Sequence, residues 1–261
     1  MYSNVTVGCD PELFILNKQN KLVASCGLIG GTKQEPRFIT DRGHMVQEDN
    51  VAVEFGIPPA HSKEAFINDV NYVMDYLKAY LEEKELMLSC TASAMFPKDQ
   101  LSDPRALVFG CEPDFNAWTA KRNPRPKARN KSLRSCGGHV HVGFDNPNKE
   151  SVELLMQTLD LFLGVPSVLY DEDTQRRELY GKAGSFRYKP YGGEYRTLSN
   201  WWVAKPEFMG YIYDQVQDAV AFLQAGSRIE ADDIKAITDT INNSNDVIAL
   251  DLMDAYGVNT L

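Results

Sequence analysis

Short apolar segments of strand type and longer amphipathic helical segments follow one another in this chain without regular strand–helix–strand alternation. Several strand-type runs, such as Leu13–Leu16 and Val51–Phe55, precede the first helical pattern. In that pattern, apolar residues recur at spacings of three and four from Phe66 to Leu81, after a capping Ser62. Parallel strands need a crossover between them, so this order predicts an α+β fold with an antiparallel sheet.

The remaining segments complete this expectation. A second helix is predicted over Lys149–Leu163, and the chain is expected to be mostly helical from Pro206 onward. The polar, Gly-rich stretch Gly27–Asn50 is too long for a simple turn and predicts a functional loop or a hairpin. Residues 180–193 are rich in Gly and Tyr and are predicted to form a loop, before a strand at Glu194–Leu198.

Composition indicates a globular cytoplasmic protein. Of the 261 residues, 43% are apolar and 24% charged, which excludes a disordered or fibrous chain. We expect no apolar run long enough to span a membrane, no signal peptide and, with five cysteines and no C-x-x-C pair, a reduced compartment. Without repeats or linkers, residues 1–261 are predicted to be one domain, with motifs within 5–203 and a helical part over 204–261.

Charge is unevenly spread along the chain. The formal net charge is −9, which argues against a general nucleic-acid binder. Residues 121–134 nevertheless carry seven basic and no acidic side chains, which leaves −16 on the rest. This basic loop is either a solvated surface segment or a flap that contacts a polyanion, such as nucleotide phosphates or an acidic substrate.

Five short segments place chemically active side chains where one face of an extended backbone would present them. They hold Asp10 and Glu12, Glu54 alone, Glu112 and Asp114, His139 and His141, and Glu194 and Arg196. A single pair of this kind is typical of an exposed strand, but five such segments are not.

Glu54 is the most informative of these residues, because its strand is otherwise apolar on both faces. A buried carboxylate is costly unless it is paired or binds a cation. Carboxylates and histidines that converge on one sheet face would also repel one another. We therefore expect one or more divalent cations, and the oxygen-rich ligand set favours Mg²⁺ or Mn²⁺.

The segment 179–196 combines glycines with basic side chains, namely Lys182, Arg187, Lys189 and Arg196. Glycines let a backbone approach a ligand closely, and guanidinium groups bind phosphate or carboxylate. Arg196 and Glu194 share a strand face, an arrangement that suits a phosphoryl group bridging a metal and an arginine. The alternative is a basic surface loop.

In this order, the motifs resemble a known superfamily. They are D-P-E, a lone Glu in an apolar strand, G-G-H-V-H-V-G, Y-G-K-A-G-S-F-R and E-Y-R. The sequence resembles the glutamine synthetase and glutamate–cysteine ligase superfamily of carboxylate–amine ligases, and within it the small phage-encoded carboxylate–amine ligases. The resemblance covers about residues 5–203.

The resemblance implies a curved antiparallel sheet that forms a funnel-shaped active site, with helices on its outer face. It implies ATP and Mg²⁺ (or Mn²⁺) as cofactors. The γ-phosphate would pass to a substrate carboxylate, and an amine would then attack the acyl phosphate.

The resemblance also assigns roles to residues. The metal ligands would be Asp10, Glu12, Glu54, Glu112, His139 and Glu194, with Asp114 as a further choice. The nucleotide would contact His141, Lys182, Arg187, Arg196 and Arg134. Arg187, Arg196 and Glu54 would act in catalysis, and Arg177 is a weaker assignment beside Arg187.

Three alternatives remain open at this stage. The same fold would also suit an ATP-dependent phosphotransferase of the guanidino-kinase type, or a binding module without turnover. The carboxylates and the basic loop would suit a metal-dependent nuclease. For the ligase, we expect small-molecule or peptide carboxylate and amine substrates, an anionic macromolecular acceptor at the basic loop 121–134, no membrane contact, and the host cytoplasm if phage-encoded.

Overall fold

The computed structural model describes residues 2–107, 114–124 and 130–261. The strands are β1 (Thr6–Asn17), β2 (Leu22–Val23), β3 (Arg37–Phe38), β4 (Met45–Asp49), β5 (Ala52–Gly56), β6 (Leu86–Ser89), β7 (Ser93–Met95), β8 (Phe115–Asn116), β9 (Lys121–Arg122), β10 (Leu133–Ser135), β11 (Gly138–Gly143), β12 (Ser185–Lys189) and β13 (Gly192–Tyr195). The helices are α1 (Lys63–Glu82), α2 (Lys149–Leu159), α3 (Val165–Tyr170), α4 (Thr174–Leu179), α5 (Pro206–Gln224), α6 (Asp233–Asn243) and α7 (Asp246–Tyr256).

One large antiparallel sheet organises the part of the chain that the structure describes. Its main path runs β3–β4–β5–β1–β11–β13–β12–β8–β9, and β2 and β6 also pair with β1. The long strand β1 is central: its first half pairs with β11, its middle with β5 and its end with β6. The predicted antiparallel sheet with packed helices is confirmed in this mixed architecture.

The two faces of the sheet differ in chemistry because side chains alternate along each strand. In β1, Val7, Cys9 and Leu13 point into the main core, whereas Asp10 and Glu12 lie on the opposite face. The neighbouring strands follow the same rule, so one face is apolar and the other carries the polar residues beside a smaller apolar cluster that includes Phe14 and Ala52.

Helices cover the apolar face. Helix α1 begins after Ser62, whose hydroxyl accepts a hydrogen bond from the backbone N–H of Ala65, as the sequence predicts. Apolar side chains from α1, α2 and α5 join those of β1, β5 and β11 in one buried cluster. The prediction of a mostly helical region after Pro206 is confirmed by α5, α6 and α7.

The second predicted helix is longer than its sequence pattern indicated. Helix α2, a π-helical turn over Asp160–Gly164 and α3 run on as one helix, Lys149–Tyr170. By length and composition this helix could cross a membrane, so the expectation that no segment would be long enough was wrong. Its most apolar window is 72% buried inside the protein, as in the core helix of a globular domain.

Two loop predictions need correction. Residues 180–193 are not all loop, because Ser185–Lys189 forms β12 and pairs with β13 in a hairpin. The basic loop 121–134 is not all loop either, because Lys121–Arg122 forms β9 and its last residues lie in β10 (Leu133–Ser135). The stretch Gly27–Asn50 contains the hairpin of β3 and β4, which confirms one of its two predicted forms. In the first case, Gly and Tyr content concealed a strand that is held by its neighbours in the sheet.

Candidate active site

A stripe of polar side chains crosses the open face of the sheet. The stripe contains Gln47 and Asp49 on β4, Glu54 on β5, Asp10 and Glu12 on β1, His139 and His141 on β11, Glu194 on β13, and Arg187 and Lys189 on β12. From one strand to the next across the sheet, the stripe is linked by pairs of directly opposed residues. These pairs are Gln47 with Glu54, Glu54 with Glu12, Asp10 with His139, His141 with Glu194, and Glu194 with Arg187. Residues from widely separated parts of the sequence, from Asp10 to Glu194, therefore share one site.

The first cluster in the stripe has the geometry of a cation site. Asp10, His141 and Glu194 each offer one ligand atom, and these atoms all lie within 4.8 Å of one another. Nε2 of His141 is 3.2 Å from Oδ1 of Asp10, and Nδ1 of His139 is 3.0 Å from the same oxygen. Burial alone would raise the pKa of Asp10, but His141 and His139 hold it well below its usual value. Asp10 is therefore ionised.

Glu194 is the fully buried anion of this cluster. It forms ion pairs with Arg196, with Lys189 at 2.7 Å and with Arg187 at 3.5 Å. Burial and Asp10 raise the pKa of Glu194, but Arg196 and the two histidines lower it further, to about 2. Glu194 thus holds a permanent negative charge that orients the cations around it.

The second cluster is purely acidic. Glu12, Asp49 and Glu54 offer oxygens that lie within 4.8 Å of one another. Burial and the charge of Asp49 raise the pKa of Glu12 to about 7, even though its Oε2 accepts a hydrogen bond from the backbone N–H of Gly137 at 2.8 Å. Burial, Asp10 and Asp49 raise the pKa of Glu54 well above its usual value. These carboxylates repel one another, as expected of groups arranged around a divalent cation.

His139 connects the stripe to the arginines. Burial and the charge of Arg196 lower the pKa of His139 to about 4, so its imidazole is neutral at pH 7. For His141, burial acts in the same direction, but the charge and hydrogen bond of Asp10 raise the pKa overall. The two histidines, which share one strand face, therefore differ in protonation chemistry.

A cleft lies beside the stripe and has walls of opposite charge. Its lining includes Glu12, Asp49, Asp114, His139, Arg134, Arg176, Tyr180 and Arg196. The guanidinium groups of Arg134, Arg176 and Arg196 belong to residues that are no more than 6% exposed. Buried guanidinium groups beside carboxylates form a surface suited to phosphates and metal ions together.

One comparison with known proteins matches this part of the molecule. Residues 129–235 match the family model described as "Phage phiEco32-like COOH.NH2 ligase-type 2". The resemblance to the phage carboxylate–amine ligases is confirmed. The matched segment supports a carboxylate–amine ligase in general, and it contains β11, β12 and β13. No curated protein matches the chain.

The residues that match the family model, 129–235, are called the ligase-family segment below. They differ in extent from the motif-based resemblance, which covers about residues 5–203. The ligase-family segment begins at residue 129 and continues through α5 into α6, although the C-terminal helices carry no recognisable motif. It does not include β1, β4 and β5, which supply the acidic cluster. The sheet register, rather than the family match, joins those strands to the ligase segment.

The structure places the other predicted site residues as follows. Arg134 lines the cleft, but its guanidinium also donates to the carbonyl oxygens of Ala106 and Lys131, each at 2.7 Å. Arg177 lies among the helices, where it pairs with Asp171 at 3.5 Å, away from the stripe. Lys182 is exposed and is not among the residues lining the cleft. Glu112 lies outside the described residues.

The structure also brings in residues that the sequence analysis did not assign. Asp49 completes the acidic cluster, and its i, i+2 spacing from Gln47 was the available signal. Arg176 donates to the carbonyl oxygens of Arg196 and Thr197 from the short helix α4, where no pattern marks it. His141, assigned to the nucleotide, has the metal-ligand geometry that was expected of His139.

Proposed function

We propose that this protein is an ATP-dependent carboxylate–amine ligase that forms an amide bond through an acyl-phosphate intermediate. The proposal is supported by the ligase-family segment and by the continuous stripe that joins two clusters of potential metal ligands to buried arginines. The stripe is the observation that carries it, because carboxylate activation by ATP needs metal ligands and phosphate-binding cations in one place. We further propose that the sheet has the curved, funnel-like form of the glutamine synthetase superfamily and that residues 1–261 act as one domain.

The donor sets suit Mg²⁺ or Mn²⁺. Asp10, His141 and Glu194 would hold one ion, and Glu12, Asp49 and Glu54 would hold a second. Burial and the charges of neighbouring carboxylates raise the pKa values of Glu12 and Glu54, and a bound divalent cation would offset both effects. When bound, the ions would supply charge neutralisation and polarisation at the phosphoryl oxygens of ATP.

The arginines would act on the transferring phosphoryl group. Arg196 is ion-paired with the ionised Glu194, which fixes its guanidinium at the boundary between stripe and cleft. Arg187 contacts the same carboxylate from β12. Preorganised cations in a buried site stabilise developing negative charge without reorganisation during the reaction. We assign to these two arginines the stabilisation of the transition state.

Burial of the stripe would protect the reactive intermediate. Glu54, His139 and Arg196 are each between 4% and 6% exposed, so little water reaches the centre of the stripe. An acyl phosphate hydrolyses readily in water, and a dry site favours attack by the amine. Because its pKa is about 4, His139 is a neutral imidazole near pH 7, and its unprotonated nitrogen would serve as a hydrogen-bond acceptor or ligand.

The substrates are proposed as a class. A small-molecule or peptide carboxylate and an amine are the partners, and the host cytoplasm is the proposed location. Of the basic loop 121–134, Lys121, Arg122 and Lys131 are exposed and available to an anionic macromolecule. Residues 125–129 of that loop lie outside the described residues.

A hydroxamate trap tests the proposal directly. The protein is given ATP, Mg²⁺, hydroxylamine and pools of amino acids, peptides and small carboxylic acids. Hydroxylamine intercepts an acyl phosphate whatever the natural amine is. We expect hydroxamate from the wild type and from the surface control Glu85→Gln, whose carboxylate is exposed and pairs only with Lys18 among described residues. We expect none from Glu194→Gln or Glu54→Gln.

The other outcomes have separate meanings. Release of ADP without hydroxamate would support the phosphotransferase alternative. Hydroxamate from both active-site variants would exclude the assigned residues. Neither product from any pool would contradict the ligase proposal, and metal-dependent cleavage of nucleic acid without ATP would then support the nuclease alternative.

A further inference from the structure

Asp160 is a buried carboxylate on the helix side of the sheet, outside the stripe. It is fully buried and begins the π-helical turn Asp160–Gly164. Its Oδ2 accepts a hydrogen bond from Nε1 of Trp118 at 2.6 Å, and its Oδ1 accepts one from Oη of Tyr195 at 2.7 Å. The hydroxyl of Thr197 is 3.5 Å from the same Oδ1. A single carboxylate thus contacts three side chains from two separate segments.

Two of these partners flank Arg196. Because side chains alternate, Tyr195 and Thr197 point toward the helices while Arg196 points toward the cleft. The Asp160 carboxylate contacts both Tyr195 and Thr197 from the helix side of the sheet. Arg176 holds the same stretch of backbone by donating to the carbonyl oxygens of Arg196 and Thr197, at 3.2 and 2.9 Å.

The third partner, Trp118, belongs to a segment that also contacts Arg196 from the cleft side. Trp118 follows β8, and Asp114 precedes that strand. Oδ2 of Asp114 is 3.9 Å from Nε of Arg196, on the cleft side. Asp160 therefore anchors the segments that carry both members of the Arg196–Asp114 ion pair.

The π-helical turn makes this close contact possible. A Cβ on Gly164 would lie 2.5 Å from Oη of Tyr195, so only glycine permits the hydroxyl to approach the helix here. π-Helical turns within α-helices are frequently found beside functional sites. Here the turn places the carboxyl side chain of Asp160 directly beneath Tyr195, the last residue of β13, which precedes Arg196.

We propose that Asp160 is a positioning residue for Arg196. It acts through Tyr195, Thr197 and Trp118 and fixes the angle at which the guanidinium enters the cleft. Its effect on turnover rests on the proposed function, in which Arg196 stabilises the phosphoryl transition state. Its effect on the geometry of Arg196 does not.

The test compares Asp160→Asn with Asp69→Asn. Asn keeps the size of Asp160 but cannot accept hydrogen bonds from Trp118 and Tyr195 at both atoms. Asp69 is an equally buried aspartate on α1 that contacts His44 and Arg42 and no residue of the stripe. Loss of a buried carboxylate is therefore common to both variants, and only the link to Arg196 differs.

The first readout is steady-state kinetics in the hydroxamate assay. We expect Asp160→Asn to lower kcat by about 10²-fold, since a displacement of about 1 Å at a reacting group can have that effect. KM for ATP should change much less, because Arg196 is assigned to the transition state. Tyr195→Phe should lower kcat less, and Asp69→Asn should leave it unchanged.

The second readout needs no activity. In magnesium-free buffer, the ¹⁵Nε NMR signal of Arg196, assigned from its loss in Arg196→Lys, should shift in Asp160→Asn and Tyr195→Phe but not in Asp69→Asn. The proposal would be overturned if the Arg196 signal did not move in either Asp160→Asn or Tyr195→Phe. It would also be overturned if the signal shifted equally in Asp69→Asn. If the wild type makes no hydroxamate, the proposed function fails while the NMR comparison still decides the positioning role. If Asp160→Asn does not fold, Tyr195→Phe and Thr197→Val provide the decision.

Discussion

Glu54 illustrates how a proposed functional role can oppose stability at a single residue. It is 5% exposed in an otherwise apolar strand, and burial together with Asp10 and Asp49 raises its pKa well above the usual value. The folded protein then binds more protons than the unfolded chain above about pH 4.5, so stability falls as pH rises through the folded pKa. Glu54 therefore destabilises the metal-free protein at neutral and alkaline pH.

Glu54→Gln should stabilise the metal-free protein. In EDTA at pH 8, we expect the free energy of unfolding to rise by about 0.5–2 kcal/mol, the usual gain when a functional constraint is removed. At pH 4.5, where Glu54 is protonated in the wild type, the gain should vanish. Urea denaturation at the two pH values measures this. A loss of stability at pH 8 would instead show that other groups of the protein already offset the cost of the buried Glu54 charge.

At the scale of single residues, the sequence predicted those site residues that have an i, i+2 partner in a strand. Asp10 and Glu12, and likewise His139 and His141, lie on one face because the period of an extended backbone fixes it. Their catalytic roles stay predictions. Arg176 had no such signal, since it lies on a short helix beside Arg177 and only the tertiary fold decides which of the two reaches the cleft.

Strand β11 is held in place by close packing as well as by its ladder. The N–H of Gly138 donates to the carbonyl oxygen of Leu198, and the Gly138 carbonyl accepts from Nε1 of Trp202 at 3.0 Å. A Cβ on Gly138 would lie 2.2 Å from the carbonyl oxygen of Ser199 and 2.6 Å from that Nε1. The strand that carries both histidines is thus fitted against the turn that follows β13.

Gly138→Ala should therefore destabilise the protein by about 1–3 kcal/mol, the range found when a packed interior receives an extra methyl group. Gly8→Ala is the matched control, because a Cβ there would lie 3.6 Å from Cβ of His141, an ordinary contact. The control should be neutral or slightly stabilising, since alanine has less backbone entropy to lose. Urea denaturation of both variants measures the difference, and equal effects would refute the packing argument.

The elements that the sequence failed to predict are those that depend on neighbours. Strand β12 lies in a Gly- and Tyr-rich segment without clear alternation, and it forms because β13 and β8 both pair with it. The helix Lys149–Tyr170 passes its predicted end because its apolar residues continue into the core through the π turn. By contrast, α1 has a cap and a regular apolar period, and both were sufficient to predict it.

At the scale of the whole molecule, one sheet joins strands inside the ligase-family segment with strands that precede it. The cluster of Asp10, His141 and Glu194 combines β1 with the ligase-family segment, whereas Glu12, Asp49 and Glu54 all lie before that segment begins. The two clusters share no ligand but are connected through β1, where Asp10 and Glu12 are two residues apart. The family match alone would therefore account for only part of the potential metal ligands.

Counting bound Mn²⁺ tests this division. We expect two ions per wild-type chain by calorimetric titration, with electron paramagnetic resonance reporting whether they are coupled. Glu54→Gln should lose the ion of the acidic cluster and Glu194→Gln the ion of the other, so each variant binds one, and the double variant binds none. Because an ion bound beside Asp10 offsets the negative charge that Asp10 exerts on Glu54, it should weaken the binding of the second ion at the acidic cluster. One ion in the wild type, lost in either variant, would instead mean that the stripe forms a single shared site.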